Sequence, residues 1–218
     1  MTPTAYLTRI HLNPRNGRVR RDLADAGQLH KTLMRLMPEH LGDSARADSG
    51  LLFRLDETDT GPVVLAQSRT TPDPARLPDG YGQAQVRDLA PMFHALSEGM
   101  QVRYRIAANT CKRLRPTPEE AAKGRARGKL KALSGQEAAD WWQRRAEAAG
   151  LHLLTVLPTH LPTLRSRTEP GMAHAVNRFD GQATVTDPQA LITAVLAGIG
   201  KGRSYGAGLL SLAPTPRT

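Results

Sequence analysis

The residues best suited to chemistry are a histidine and two cations close together in the first part of the chain: His30, Lys31 and Arg35. Imidazole has an ordinary pKa near neutrality, so it can take or give a proton under physiological conditions. Asp25 can cap a helix here, which places His30 in the first turns, off the apolar stripe Leu29, Leu33, Leu36. A helix N-terminus favours an anion and disfavours imidazolium, whereas a bound phosphate would pull the imidazole pKa back up. That combination suits RNA cleavage, in which the RNA's own 2′-hydroxyl is the nucleophile and no metal is needed. Residue type alone leaves an ordinary surface histidine as the simpler reading.

A second stretch invites a nucleotide reading. Gly198, Gly200, Gly202, Gly206 and Gly208 surround Lys201, Arg203 and Tyr205, giving a backbone open to close approach and two cations for an anion. The spacing is neither G-x-G-x-x-G entering a helix nor G-x-x-x-x-G-K-[ST], and too little chain follows Gly208 to build that helix. Metal chemistry has no footing either. Cys111 is the only cysteine, and there is no H-E-x-x-H or H-x-E with a later C-x-x-C. His152 and His160 flank a predicted strand and read as ordinary histidines. No metal, no cofactor and no disulfide is expected.

The formal net charge of +10 over 218 residues points to nucleic acid as partner, with an anionic membrane surface or a merely solvated basic face as the alternatives. Aromatic residues make up only 4%, which favours recognition of backbone and shape over stacking of bases on aromatic rings. No apolar run approaches a membrane span, and Met1-Thr2-Pro3-Thr4 lacks a signal-peptide pattern, so a cytoplasmic location is expected.

The elements that must position these residues fall into two similar halves. Tyr6 to Leu12 alternates as a strand. A loop with Arg15, Arg18, Arg20 and Arg21 follows, then the helix from Asp25 that carries His30 and ends near Pro38 and Gly42. Leu51 to Leu55, Val63 to Gln67 and Gln83 to Leu89 read as strands. The second half opens with the strand Val102 to Ala108. A basic segment then includes Lys112, Arg113, Arg125, Arg127, Lys129 and Lys131. Ser134 and Glu137 form a capping box for the helix Gly135 to Ala149. Strands follow at Leu151 to Leu157 and Ala175 to Val185, then a helix opened by Thr186 or Asp187 with Pro188, and a last strand Leu209 to Leu212. The order β-α-β-β-α-β occurs twice, which predicts an α+β chain of two tandem ferredoxin-like domains, 1–95 and 96–218.

Longer motifs carry a resemblance. Asn13-Pro14, Arg20-Arg21-Asp22-Leu23 and Gln28-Leu29-His30 lie near the start; Arg105-Ile106-Ala107-Ala108-Asn109 with Lys112-Arg113 lies in the middle. At the end come Phe179-x-Gly181, Val185-x-Asp187-Pro188, Gly198-Ile199-Gly200 and Tyr205-Gly206-Ala207-Gly208-Leu209-Leu210. Together they resemble the CRISPR-associated CasE family of type I-E, in the family's order and across almost the whole chain. The resemblance implies a metal-independent endoribonuclease that cuts the repeat hairpins of a CRISPR precursor transcript at the 3′ base of the stem. It also implies retention of the product RNA and membership of the Cascade complex. His30 matches the catalytic histidine, with Lys31 and Arg35 as its basic companions. Arg20, Arg21, Lys112, Arg113, Lys129, Lys131, Arg165, Arg167, Lys201 and Arg203 are the candidate RNA contacts.

Two positions depart from the family. Gly27 stands where members often have tyrosine, so no catalytic hydroxyl is expected there. Ala207 replaces a frequent cysteine, which leaves the loop small and without thiol chemistry. A non-catalytic RNA-hairpin-binding subunit of the same fold, and a ribosome-associated basic protein, are the alternatives in other functional classes.

Overall fold

The computed structural model describes residues 4–39, 48–123, 128–166 and 173–215. Strand β1 (Tyr6–Leu12) buries Thr8, Ile10 and Leu12 on one face, as the alternation predicts. Where an arginine loop was expected, a short helix α1 (Gly17–Leu23) forms. The Asn16 side chain accepts from the backbone N–H of Arg18 and Val19, and buried Val19 anchors the turn to the core. The arginines face outward, so little apolar period was there to read. Helix α2 (Ala26–Met34) starts at Asp25, whose Oδ1 accepts from the N–H of Gly27 and Gln28 at 2.9 and 3.3 Å. It closes at Arg35, before Pro38. Leu36 and Met37 stay buried through two further turns, their N–H groups donating to Leu33 and Met34 carbonyls.

Strands β2 (Leu52–Thr58), β3 (Gly61–Ser68) and β4 (Gly82–Asp88) complete a sheet of order β2-β3-β1-β4, antiparallel throughout. This is the strand order of a ferredoxin-like βαββαβ unit. Its second crossover is only a 3₁₀ turn, Pro74–Arg76, in a passage where Pro72, Pro74 and Pro78 remove backbone donors. Helix α3 (Ala90–Ala95) leads to the second half and sends Phe93 into that half's core.

The second half contains β5 (Gln101–Asn109), β6 (Cys111–Arg113), α4 (Pro118–Ala122), β7 (Leu130–Ala132), α5 (Gly135–Ala148), β8 (Leu151–Leu153), β9 (Leu157–Arg165), β10 (Ala173–Val185), α6 (Pro188–Ala197) and β11 (Leu210–Pro214). The order β11-β5-β10-β8 repeats that of the first sheet, and β9 adds to it by pairing with the first part of β10. The fold is therefore the expected pair of ferredoxin-like units. Trp142 stacks on Phe179 at 5.9 Å in the second core, among Ile106, Leu151 and Leu191. Asp187 caps α6, with Pro188 at its first position.

The capping box at α5 does not form. Ser134 occupies the cap position without a side-chain capping bond, and Glu137 turns instead to Lys112 at 2.6 Å and Lys131 at 3.2 Å. Two ammonium groups delivered by the β6–β7 hairpin outcompete one backbone N–H for that carboxylate.

A polar seam joins the halves. Arg54, buried on β2, donates to both oxygens of Asp56, to the carbonyls of Leu209 (3.3 Å) and Arg105 (3.2 Å), and to Ser211 Oγ (3.0 Å). Asp56 lies 3.7 Å from Arg105, which pairs with Asp180, and Asp180 pairs with Arg178 at 2.8 Å. Burial works against the Arg105 charge, but Asp180 and Asp56 outweigh it and raise its pKa. Gln67 Nε2 adds a bond to the Val195 carbonyl at 2.8 Å. A buried arginine with its donors engaged on both halves fixes the angle between them.

Candidate active site

His30 lies in the second turn of α2, half-buried, its ring stacked on Phe53 of β2 at 6.2 Å between centroids. The helix N-terminus is not an open anion site, because Asp25 already engages the Gly27 and Gln28 N–H groups. Charge for a phosphate must therefore come from side chains. Lys31 and Arg35, four residues apart and both exposed, are the cations this helix offers. Arg35 Nε donates to the Arg76 carbonyl at 3.4 Å, which holds the side chain to the loop after β3. Arg18 reaches Thr32 Oγ1 at 3.3 Å and ties α1 to α2.

Arg20 and Arg21 are exposed on α1 and line, with Arg18 and Gln28, an open groove of about 650 Å³ at the α1–α2 junction. Arg20 is oriented by donating to the Arg15 carbonyl at 2.8 Å. Beneath the groove Tyr81 donates its O–H to Asp22 at 2.8 Å. Burial first, then the Asp22 carboxylate, push the Tyr81 pKa well above the ordinary tyrosine value.

The glycine stretch is closer to His30 than the sequence suggested. Its 3₁₀ turn Arg203–Tyr205 packs directly on α2 and β2. Gly206 has φ +88°, and a Cβ there would lie 3.1 Å from the Phe53 ring that carries His30. Arg203 is engaged within the loop: it donates to the Ala197 carbonyl at 2.7 Å, closing the C-terminal end of α6. Lys201 is exposed and forms a backbone bridge with Asn109.

Lys112, Arg113, Lys129 and Lys131 cluster on the β6–β7 hairpin instead of at His30. Lys112 and Lys131 share Glu137, whose pKa their hydrogen bonds and charges lower, and Arg113 donates to the Gly128 carbonyl at 2.8 Å. Arg165 ends β9, exposed, and reaches the cleft between the two halves. Arg167, Arg125 and Arg127 lie outside the described residues. Among the described residues no group of three or more His, Cys, Asp or Glu comes together that can hold a metal ion.

Sequence reasoning missed Phe53, Tyr205 and Arg178. Tyr205, Arg178 and Phe53 line the same cleft as Arg165. The one available signal was Tyr205 within the Tyr205-Gly206-Ala207-Gly208 motif, which served for the family resemblance and was given no contact role.

Residues 5–214 match the model of a family described as CRISPR associated protein. The CRISPR-associated endoribonuclease Cse3 of Thermus thermophilus is 34% identical over 96% of this chain and 100% of that protein. This chain belongs to the CRISPR-associated CasE family. The CRISPR system Cascade subunit CasE of Escherichia coli is 30% identical, over 87% of this chain and 92% of that one. A structure of Thermus thermophilus Cse3 bound to an RNA representing a pre-cleavage complex is similar at 33% identity. Its TM-score is 0.79, covering 97% of this chain and 100% of that one. The family resemblance carried by the motifs at both ends and in the middle thus holds across residues 5–214.

Proposed function

We propose that this CasE-family chain is an endoribonuclease that cleaves the repeat hairpins of a CRISPR precursor RNA and stays bound to the product as a Cascade subunit. The observation that carries the reading is His30, set against Phe53 on a helix that also bears Lys31 and closes at Arg35, in a chain that matches a CRISPR-associated endoribonuclease over nearly its full length. The 2′-oxygen of the nucleotide before the cut attacks phosphorus, and the 5′-oxygen of the next nucleotide leaves. His30 takes the 2′ proton or supplies the 5′ proton. Lys31 and Arg35 stabilise the added negative charge on the phosphorane. The products are a 2′,3′-cyclic phosphate and a 5′-hydroxyl, with no metal in the step.

Arg20 and Arg21 hold phosphates along the α1–α2 groove, while the β6–β7 hairpin and Arg165 hold the stem. Arg203 and Lys201 contribute at the glycine loop, Arg203 first as a loop-forming group. The chain divides into domains at 95/96, with α3 as the connection. No described helix is long and apolar enough to cross a membrane, and a transcript as substrate fits a protein of the cytoplasm.

The experiment is His30→Ala with cognate repeat RNA. Binding within about threefold of wild type with cleavage reduced at least about a hundredfold is expected; unchanged cleavage would move the chemistry elsewhere. Gly27 offers no hydroxyl beside His30, which favours one second reading, a non-catalytic hairpin-binding subunit. Wild-type protein that binds the hairpin tightly and never cuts it would establish that reading.

A further inference from the structure

The cleft between the two sheets encloses about 420 Å³, near the small end of the range for ligand sites. Its walls are apolar: Leu29 and Phe53 from one half face Leu161, Leu164, Val176 and Tyr205 from the other. Phe53, which lines the cleft, also carries the His30 ring, so the cleft and the candidate site of cleavage share one wall. In a chain only 4% aromatic, two rings meet at this one cavity. Tyr205 is half-buried, paired with His174 at 5.5 Å, and held by a turn bounded by Gly202 and Gly206, both left-handed.

The charged groups at the rim sort by partner. Asp56 is engaged by Arg54 and Arg105, and Asp22 accepts the Tyr81 hydroxyl. Arg165 has no ion pair among the described residues, and Arg178 shares Asp180 with Arg105. Glu57 is the remaining carboxylate at the rim. An apolar slot with aromatic walls, one of them shared with His30, and cations at its edge fits a flat heterocycle attached to a phosphate.

We propose that this cleft holds one unstacked nucleobase of the RNA, flanking the scissile phosphate, with Tyr205 as its stacking face and Arg165 on the adjoining phosphate. The proposal rests on the reading of His30 as the cleavage site and adds a base-binding element to it. A π-face accepts any base, so the slot selects an unpaired nucleotide at the foot of the stem more than a particular letter. It confines stacking to one nucleotide, while the rest of the RNA is held by backbone and shape.

Hairpins carrying an abasic ribonucleotide, 2′-hydroxyl retained, on either side of the scissile phosphate test this. With wild-type protein, one of the two positions binds about tenfold more weakly than intact RNA. In Tyr205→Ala that difference disappears, and in Tyr205→Phe it returns. Two abasic hairpins that bind like intact RNA would overturn the proposal, as would a difference that survives Tyr205→Ala. Should Tyr205→Ala fail to fold, Tyr205→Leu keeps apolar volume without the ring and carries the same predictions. A readout without cleavage uses 2-aminopurine at the sensitive position, bound to the His30→Ala protein. Its emission is higher when Tyr205 is also replaced by Ala, because the phenol ring no longer quenches it. Equal emission in the two complexes contradicts the proposal, whatever the outcome for His30 itself.

Discussion

His30, Lys31 and Arg35 could be picked out by type and spacing, but their surroundings could not. The stacking of His30 on Phe53 joins a helix to a strand more than twenty residues away, and no local pattern encodes that meeting. The same holds for Glu137, read as a helix cap and found between two lysines. Its lowered pKa means the pairs persist above the ordinary carboxylate range and are lost only as pH falls through the depressed value. The group is exposed, so the consequence lies in binding and not in stability. Glu137→Gln releases Lys112 and Lys131 to RNA phosphates, and the expected result is severalfold tighter hairpin binding at low salt, with the gain lost at high salt. A titration at two salt concentrations checks it. At Tyr81 the sign runs the other way. Burial and Asp22 raise its pKa, so the neutral phenol stabilises the fold below the ordinary value near 10, and that contribution is lost as pH rises beyond it. Tyr104, raised chiefly by burial, adds to the effect. Urea unfolding should give a flat stability from about pH 7 to about 9 and a decline above about 10. Tyr81→Phe should be less stable at neutral pH by about 1–3 kcal/mol, because Asp22 loses its donor, and should decline less at high pH.

Among the elements, those with apolar periodicity and explicit end signals were legible. Asp187-Pro188 marks the start of α6, and the alternation in Tyr6–Leu12 marks β1. Helix α1 was not legible: its exposed arginines leave few apolar positions, and Asn16 with one buried valine does the organising. The C-terminal glycine loop links α6 to β11, and its place against α2 depends on how the two sheets meet. That contact makes a glycine substitution act on α2, the helix that bears His30. Gly206→Ala puts a Cβ 3.1 Å from the Phe53 ring at a φ of +88°. The expected cost is about 1–2 kcal/mol of stability, together with a cleavage rate reduced about tenfold or more as Phe53 and His30 shift. Single-turnover kinetics on correctly folded protein separates the two effects, since hairpin affinity through the β6–β7 cations should fall much less.

For the whole molecule, the two halves share one strand order and are joined by the Arg54–Asp56–Arg105–Asp180–Arg178 chain of charges. The repeated element order predicted the twin ferredoxin-like units. It could not predict the seam, because Arg54 and Arg105 look like ordinary strand arginines until Leu209 and Ser211 come alongside. The seam sets His30 on one half across from Tyr205 and Arg165 on the other, so a single RNA can meet both. On the proposed reading, the net charge of +10 supplies affinity that weakens with salt and His30 serves the reaction. The most direct test is cleavage of the cognate repeat hairpin by the wild-type protein in excess EDTA, with intact RNA and with RNA carrying a single 2′-deoxy nucleotide before the cut. The account predicts full cleavage of the intact hairpin to a 2′,3′-cyclic phosphate and a 5′-hydroxyl, and none of the deoxy hairpin. Cleavage that needs added Mg²⁺, or that proceeds on the deoxy substrate, would contradict it.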